Sequence, residues 1–279
     1  MNEHQVDNLS PYQKKCLAIL LEFDRVCTEH SVRYYLLAGT TLGAVRHGGF
    51  IPWDDDIDVG VPREDYKKLL ALGNTFSSPY SLEYFTVKGT YKLPFAKVFD
   101  CSTTAIEQME KPFRRGVWID VFPLDGTFDN RALQFLHLQT INVLNRVFSF
   151  NVGRYPIKER ITFRSKLRSF LTPIARLIPI RITNWALHKV VALMPFERSN
   201  YVGNFLGIYG VKEIVRAESI RGPSKKLNFC GSSLPAPSDP HAYLTALYGD
   251  YMTPPPPERR VGHRLLFVDL EMPYKESES

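Results

Sequence analysis

The chain has 279 residues, 44% hydrophobic and 23% charged, with a net charge of +6, a globular composition with enough apolar material for a large core. No apolar run is long enough for a transmembrane helix, and "MNEHQVDNLSPYQ" lacks a charged-then-apolar signal pattern. The four scattered cysteines, Cys16, Cys27, Cys101 and Cys230, form no C-x-x-C pair, so free buried thiols in a reducing cytoplasm are expected rather than zinc ligands.

The elements follow in chain order. Residues 9–31 read as an amphipathic helix with Ser10 as N-cap and Pro11 at the first helical position. "RYYLLA" (33–38) reads as a strand ending at Gly39, and "TTLGAVRH" (40–47) as a short helix capped by Thr40 or Thr41 and stopped by Gly48-Gly49. A strand over 56–61 and a helix from Pro62 to Gly73 come next. Strand-like runs lie at 81–87, 94–100, 103–108 and 116–124. From 129 to about 195 the pattern is helical. Short strands return over 211–237, a last helix over 240–252 ends at Gly249, and "PPPP" (254–257) is extended chain. The expected fold is α+β: a mixed sheet flanked by helices, with a helical second half. Three segments are expected: a catalytic core with its N-terminal helix (1–128), a basic helical segment (129–210), and C-terminal strands and helix that complete the site (211–279).

Four aspartates stand in "DDDID", residues 54–58. In a strand, Asp56 and Asp58 share one face, with Cα atoms roughly 6.6 Å apart. Two ionised carboxylates that close raise one another's pKa unless a cation lies between them. Mg²⁺ suits such oxygen ligands, with Mn²⁺ as the substitute, and it keeps waters that a phosphate can replace. Asp120, in "WIDVFPLDG", brings a third carboxylate from a separate strand, as another ligand or as the base that deprotonates an acceptor hydroxyl. An EF-hand is excluded by Val59, where that loop needs glycine. Upstream, Gly39 with Thr40 or Thr41 before a helix reads as a phosphate cradle, since helix-start amides carry partial positive charge. Together these are parts for phosphoryl chemistry.

The stretch "LLAGTTLGAVRHGGFIPWDDDIDVGVPREDY" (36–66) closely resembles the signature of the LicD family of the nucleotidyltransferase superfamily, related to fukutin and fukutin-related protein. "FAKVFD", "GVWIDVFPLDG" and "YLTALYGDYMTPPPPERRVGH" extend the likeness over most of the chain. The resemblance implies a nucleotidyltransferase fold, and transfer of a phosphorylated alcohol such as phosphocholine from a CDP-linked donor to a hydroxyl of a cell-surface glycan. The superfamily's Gly-[Gly/Ser] pair, D-x-D strand and later acid match Gly39-Thr40, Asp56/Asp58 and Asp120, with Thr40 in place of the usual small residue, a departure that LicD proteins share. The fifteen residues between Thr40 and Asp56 are a long spacing for the superfamily, one that LicD proteins share.

Other residues join as substrate contacts. Arg46 and His47 follow the short helix and are candidates to hold donor phosphate. Trp53 either rigidifies the turn or stacks on a base or cation. Lys97 shares strand parity with Phe95 and Phe99, so it either faces inward toward phosphate or lies on a surface strand face. Arg259, Arg260 and His263 follow the proline run and reach toward phosphate.

From Arg154 to Arg181 eight Lys/Arg face one acid, Glu159. The stretch 154–195 therefore either packs as a helical subdomain or lies peripherally on an anionic membrane at its cytoplasmic face; no nucleic-acid motif accompanies it. Two other readings stay open: a glycosyltransferase gripping a nucleotide sugar through D-x-D, and a membrane-surface adaptor whose working part is the basic segment.

Overall fold

The computed structural model describes residues 9–86, 89–107, 113–152, 175, 177–222, 225–260, 262 and 265–274. Helix α1 (Pro11–Glu29) begins as its residues dictate. The Ser10 hydroxyl accepts from the Gln13 amide, the Gln13 side chain accepts from the Ser10 amide, and Pro11 opens the first turn.

β1 is only Tyr35–Leu36, because β2 (Asp58–Pro62) reaches it at two residues, Tyr35 opposite Gly60 and Leu36 opposite Val59. Helix α2 (Ala38–His47) therefore starts two residues before the expected Thr40. Leu37 holds the cap position without a side-chain cap, so neither threonine caps the helix. Helix α3 (Arg63–Ala71) follows β2 directly. β3 (Tyr80–Glu83) is shorter than the run expected over 81–87.

The strands expected at 94–100 and 103–108 are one strand, β4 (Ala96–Glu107), with a register irregularity between Asp100 and Ala105. At the irregularity Asp100 accepts from both the amide and the hydroxyl of Ser102, local bonding that reads in sequence as a break. β5 (Phe113–Thr127) is the long central strand. Helices α4 (Arg131–Val152) and α5 (Ile180–Val191) follow, then β6 (Tyr201–Gly203), β7 (Val215–Arg216), α6 (Ala217–Ile220), and a hairpin of β8 (Lys225–Phe229) and β9 (Ser232–Ala236). Helix α7 (Pro240–Tyr248) stops at Gly249, as expected, and starts at Asp239, whose side chain caps it. β10 (Leu265–Asp269) was not anticipated; it is half-exposed, and its apolar run acquires strand form by pairing with β4.

The main sheet runs β1–β2–β5–β4–β10, with β3 also on β4 and β6–β7 continuing from the far end of β5. The β2–β5 pair is parallel and its neighbours antiparallel, so the sheet is mixed. Alternation sorts the faces. Ile57, Val59, Val61, Val98, Ile119 and Val121 join Leu20 and Phe23 of α1 in one core. On the other face, Phe122 and Leu124 join residues of α4, α5 and α7 in a second core. The architecture is the expected α+β one, a nucleotidyltransferase-like mixed sheet between helices.

Of the basic stretch 154–195, residues 154–174 and Arg176 lie outside the described residues. Among the described residues no helix is long and apolar enough to cross a membrane. The four cysteines are free, three buried and Cys101 half-buried.

Gly116 lies where β5 passes the irregular part of β4. A Cβ there would sit 1.9 Å from the backbone oxygen of Asp100. Gly116→Ala is expected to cost more than about 3 kcal/mol, at the upper end of single-substitution effects, measured by urea unfolding against the parent chain.

Candidate active site

The acidic stretch is held from three sides. A turn closed by the Asp54 amide on the Ile51 carbonyl (2.9 Å) contains Pro52-Trp53 and swings the chain toward the sheet. Underneath, the Gln13 side chain of α1 donates to the Asp54 carbonyl at 2.8 Å. The Thr40 hydroxyl accepts from the Asp58 amide at 2.8 Å, the Asp58 carbonyl accepts from the Leu37 amide at 2.9 Å, and the Ile57 carbonyl accepts from the Asp120 amide at 2.8 Å.

The parallel register of β2 and β5 sets Asp58 opposite Asp120, and the antiparallel register of β5 and β4 sets Asp120 opposite Lys97. Directly paired residues share a face, with strands spaced about 4.8 Å apart. Asp58, Asp120 and Lys97 therefore form one row across three strands, and Asp56 approaches it from the extended lead-in to β2.

This row opens on a cavity of about 340 Å³. Asp54, Asp56, Asp58 and Asp120 line it with Gly39 at the start of α2, Lys97, Glu107, and residues of the 204–213 segment. Lys97 is 3% exposed, so its surface-strand alternative is excluded. Its Nζ lies 2.9 Å from Asp120 Oδ1, 3.9 Å from Glu107 Oε2 and 4.2 Å from the centre of the Trp118 ring. The ammonium of Lys97 thus pairs with Asp120 at hydrogen-bonding distance and lies farther from Glu107.

Burial, then the charges of Asp56, Asp120 and Asp54, push the Asp58 carboxyl well above the usual range. Asp120 is also raised by burial, and Lys97 opposes that rise. Among the described residues, no three Asp, Glu, His or Cys side chains are gathered closely enough to hold an ion by themselves. Magnesium commonly uses only one or two carboxylates, with water and substrate phosphate completing the shell. Paired carboxylates on one cavity wall are a donor set of that kind.

At the start of α2, Ala38 donates to the Tyr243 hydroxyl at 3.0 Å and Thr41 to the Leu37 carbonyl at 3.0 Å. No hydrogen bond from the Gly39 or Thr40 amide to another described residue is present. A Cβ on Gly39 would lie 2.9 Å from Asp54 Oδ2, so glycine leaves the cavity wall open there. The Thr41 hydroxyl is spent on the Leu36 carbonyl, and Thr40 holds Asp58.

Arg46, His47, Trp53 and Arg260 form a second group beside the cavity rather than in its lining. The guanidinium of Arg46 lies 5.8 Å and that of Arg260 4.8 Å from the centre of the Trp53 ring. Arg46 donates to His47 and to the Tyr251 carbonyl. Burial and the neighbouring Arg260 lower the Arg46 pKa; burial and Arg46 lower that of His47. Arg259 is exposed in a single helical turn, Pro257–Arg259, and His263 lies outside the described residues.

The wall formed by 204–213 was not among the expected site residues. Its signal was faint: "NFLGIYGVKE" carries one acid, Glu213, which only the fold brings near Asp58. Glu213 Oε1 accepts from the Tyr209 amide at 2.9 Å, and its carboxylate lies against Gly207.

A mixed sheet carrying a D-x-D strand opposite a third acid, with a glycine-opened helix start across the cavity, defines a nucleotidyltransferase-type domain. Residues 31–147 match the family model LicD/FKTN/FKRP, nucleotidyltransferase domain. The chain is 27% identical over 268 residues to the lipopolysaccharide cholinephosphotransferase LicD of Haemophilus influenzae, covering 92% of this chain and 96% of that one. It is also 48% identical over 54 residues to the ribitol 5-phosphate transferase FKRP of Homo sapiens, covering 18% of this chain and 11% of that protein, with the same values for the Mus musculus protein.

Burial raises Glu213 from an ordinary 4.5 to about 7. The unfolded chain releases this proton first, so between those values the folded state binds more protons and stability falls as pH rises. The loss amounts to about 3 kcal/mol. Glu213→Gln keeps the acceptor for Tyr209 and removes the titration. Its melting temperature relative to the parent is expected to be several degrees more favourable at pH 8.5 than at pH 4.5, measured by calorimetry.

Proposed function

We propose that this protein is a metal-dependent transferase that moves a phosphorylated alcohol, phosphocholine or a similar group, from a CDP-linked donor to a hydroxyl of a glycan. The observation that carries the reading is the register that sets Asp58 beside Asp120 on a cavity faced by the start of α2. The names of the relatives support phospho-group transfer as the reaction class, with lipopolysaccharide as the acceptor in one of them.

In this reading Asp56, Asp58 and Asp120 would supply the carboxylates for Mg²⁺ or Mn²⁺, with water and donor phosphate completing the shell, and the ion would neutralise charge on the donor's diphosphate. The Gly39 and Thr40 amides receive a phosphate oxygen. Arg46 and Arg260, stacked on Trp53, contribute positive potential at the side of the cavity. Lys97 favours the ionised form of Asp120, whether Asp120 ligates the metal or takes the acceptor's proton. The bond broken lies between the donor's two phosphorus atoms, at the bridging oxygen. The acceptor oxygen bonds to the phosphorus bearing the alcohol, CMP leaves, and the hydroxyl proton passes to a carboxylate.

Purified protein mixed with Mg²⁺ and CDP-choline, CDP-ribitol or UDP-sugars separates this reading from a glycosyltransferase: CMP release is expected, and UDP release would overturn it. Asp58→Asn is expected to lower turnover at least 100-fold with the fold intact by circular dichroism. Removing a carboxylate also relieves repulsion, so the variant's melting temperature in EDTA should not fall. Retained turnover would count against the assignment.

Lys97→Met removes the cation beside Asp120, so that carboxyl holds its proton to higher pH. The acid limb of the rate profile is expected to move up by a unit or more, and Lys97→Arg to recover part of the shift.

A further inference from the structure

A second cavity, of about 550 Å³, adjoins the carboxylate cavity. Phe95 lines both, two residues before Lys97 on the approach to β4. Its other described walls come from α3, the segment between β3 and β4, and α5. The volume is in the range of small-molecule sites, and nothing in the chemistry derived above uses it.

The lining has three chemical parts. Tyr84, Phe85, Phe95 and Trp185 supply aromatic surface; Trp185 is 62% exposed, an unusual setting for so large an apolar ring. Two uncharged polar groups lie among them. Burial and the nearby Arg63 hold His188 down to about 4, so at neutral pH it is an uncharged imidazole. Among the described residues the buried amide oxygen of Asn184 has no hydrogen-bond partner, a cost that a ligand's hydroxyl would relieve once the amide turns to meet it. The charged members, Arg63, Lys67 and Lys189, are all cationic, and no acid is among the described lining residues. Arg63 is committed to Asp125 and Lys67 to Glu64 at 2.7 Å, leaving Lys189 as the cation of the rim.

Lipid chains want neither neutral hydrogen-bonding groups nor an unspent amide oxygen. A sugar ring wants both, with aromatic faces against its C–H surface. Lys189 on the rim adds a preference for negative charge. We propose that this cavity is the acceptor subsite, which binds a saccharide bearing a phosphate or other anionic group and presents its hydroxyl past Phe95 to the carboxylate row. The inference rests on the transferase reading for its purpose, but not for its binding chemistry.

The test uses the full chain with glucose 6-phosphate, glucose and N-acetylglucosamine as probes, followed by saturation-transfer NMR and by Trp fluorescence. Glucose 6-phosphate is expected to bind with protection of Trp185 and more tightly than glucose. Trp185→Ala should weaken it at least tenfold. Lys189→Glu, at an exposed position where folding is not at stake, should weaken glucose 6-phosphate while leaving glucose nearly unchanged. CDP-choline cleavage by the parent chain is followed in parallel. Saccharide binding lost in Trp185→Ala, with no donor cleavage by the parent, would sink the transferase reading and leave the saccharide site standing. No saccharide binding by the parent, equal binding by both variants, or a Trp185 response to phosphatidylcholine vesicles alone would overturn the subsite.

Discussion

Carboxylates crowded on one sheet face repel each other and lose hydration together, and the rest of this molecule is arranged around keeping them there. Isolated, a buried charge is costly; removing one partner of a buried pair leaves the other uncompensated. Lys97 is the local answer, a nearly inaccessible ammonium between Asp120, Glu107 and the face of Trp118. It does not balance the whole row. Asp58 stays under the combined influence of Asp56, Asp120 and Asp54, and that residual strain is what a divalent cation would relieve on arrival.

The backbone around the acids is correspondingly over-determined. Gln13 holds Asp54 from below, Thr40 and Leu37 hold the two polar groups of the Asp58 backbone, and the Asp120 amide reaches back to Ile57. Each anchor comes from a different element, so the acids cannot separate without the sheet, α1 and α2 giving way together. Thr40 has a positioning part here: its hydroxyl oxygen is occupied by Asp58, which is how a residue next to Gly39 can be tied to the site without facing its cavity.

Segments far apart in the chain complete the walls. The 204–213 segment roofs the carboxylates, and α5 supplies one side of the neighbouring cavity. Phe95 belongs to both spaces and packs on Phe122, with ring centres 4.4 Å apart. That contact couples the β4 approach to the strand that carries Asp120, at the place where the two cavities adjoin.

Alternation along 57–61, the capping residues of α1 and the D-x-D spacing were sufficient in the sequence to place Asp58 on a strand and to give α1 its start, whereas Asp56, expected on the same strand, lies in the chain before β2. These are local effects, decided by side-chain periodicity and by hydrogen bonds within four residues. The length of β1, the start of α2, the fusion of two runs into β4 and the existence of β10 were not legible, because strand extent depends on what pairs alongside. Likewise, parity left Lys97 with two faces to choose from, and only the β4–β5 register put it beside Asp120. The sequence alone thus marked the acids, the glycine and Lys97 as candidates; the tertiary structure decided which of them meet, since cross-strand register and the packing of distant segments join residues that no short-range interaction connects.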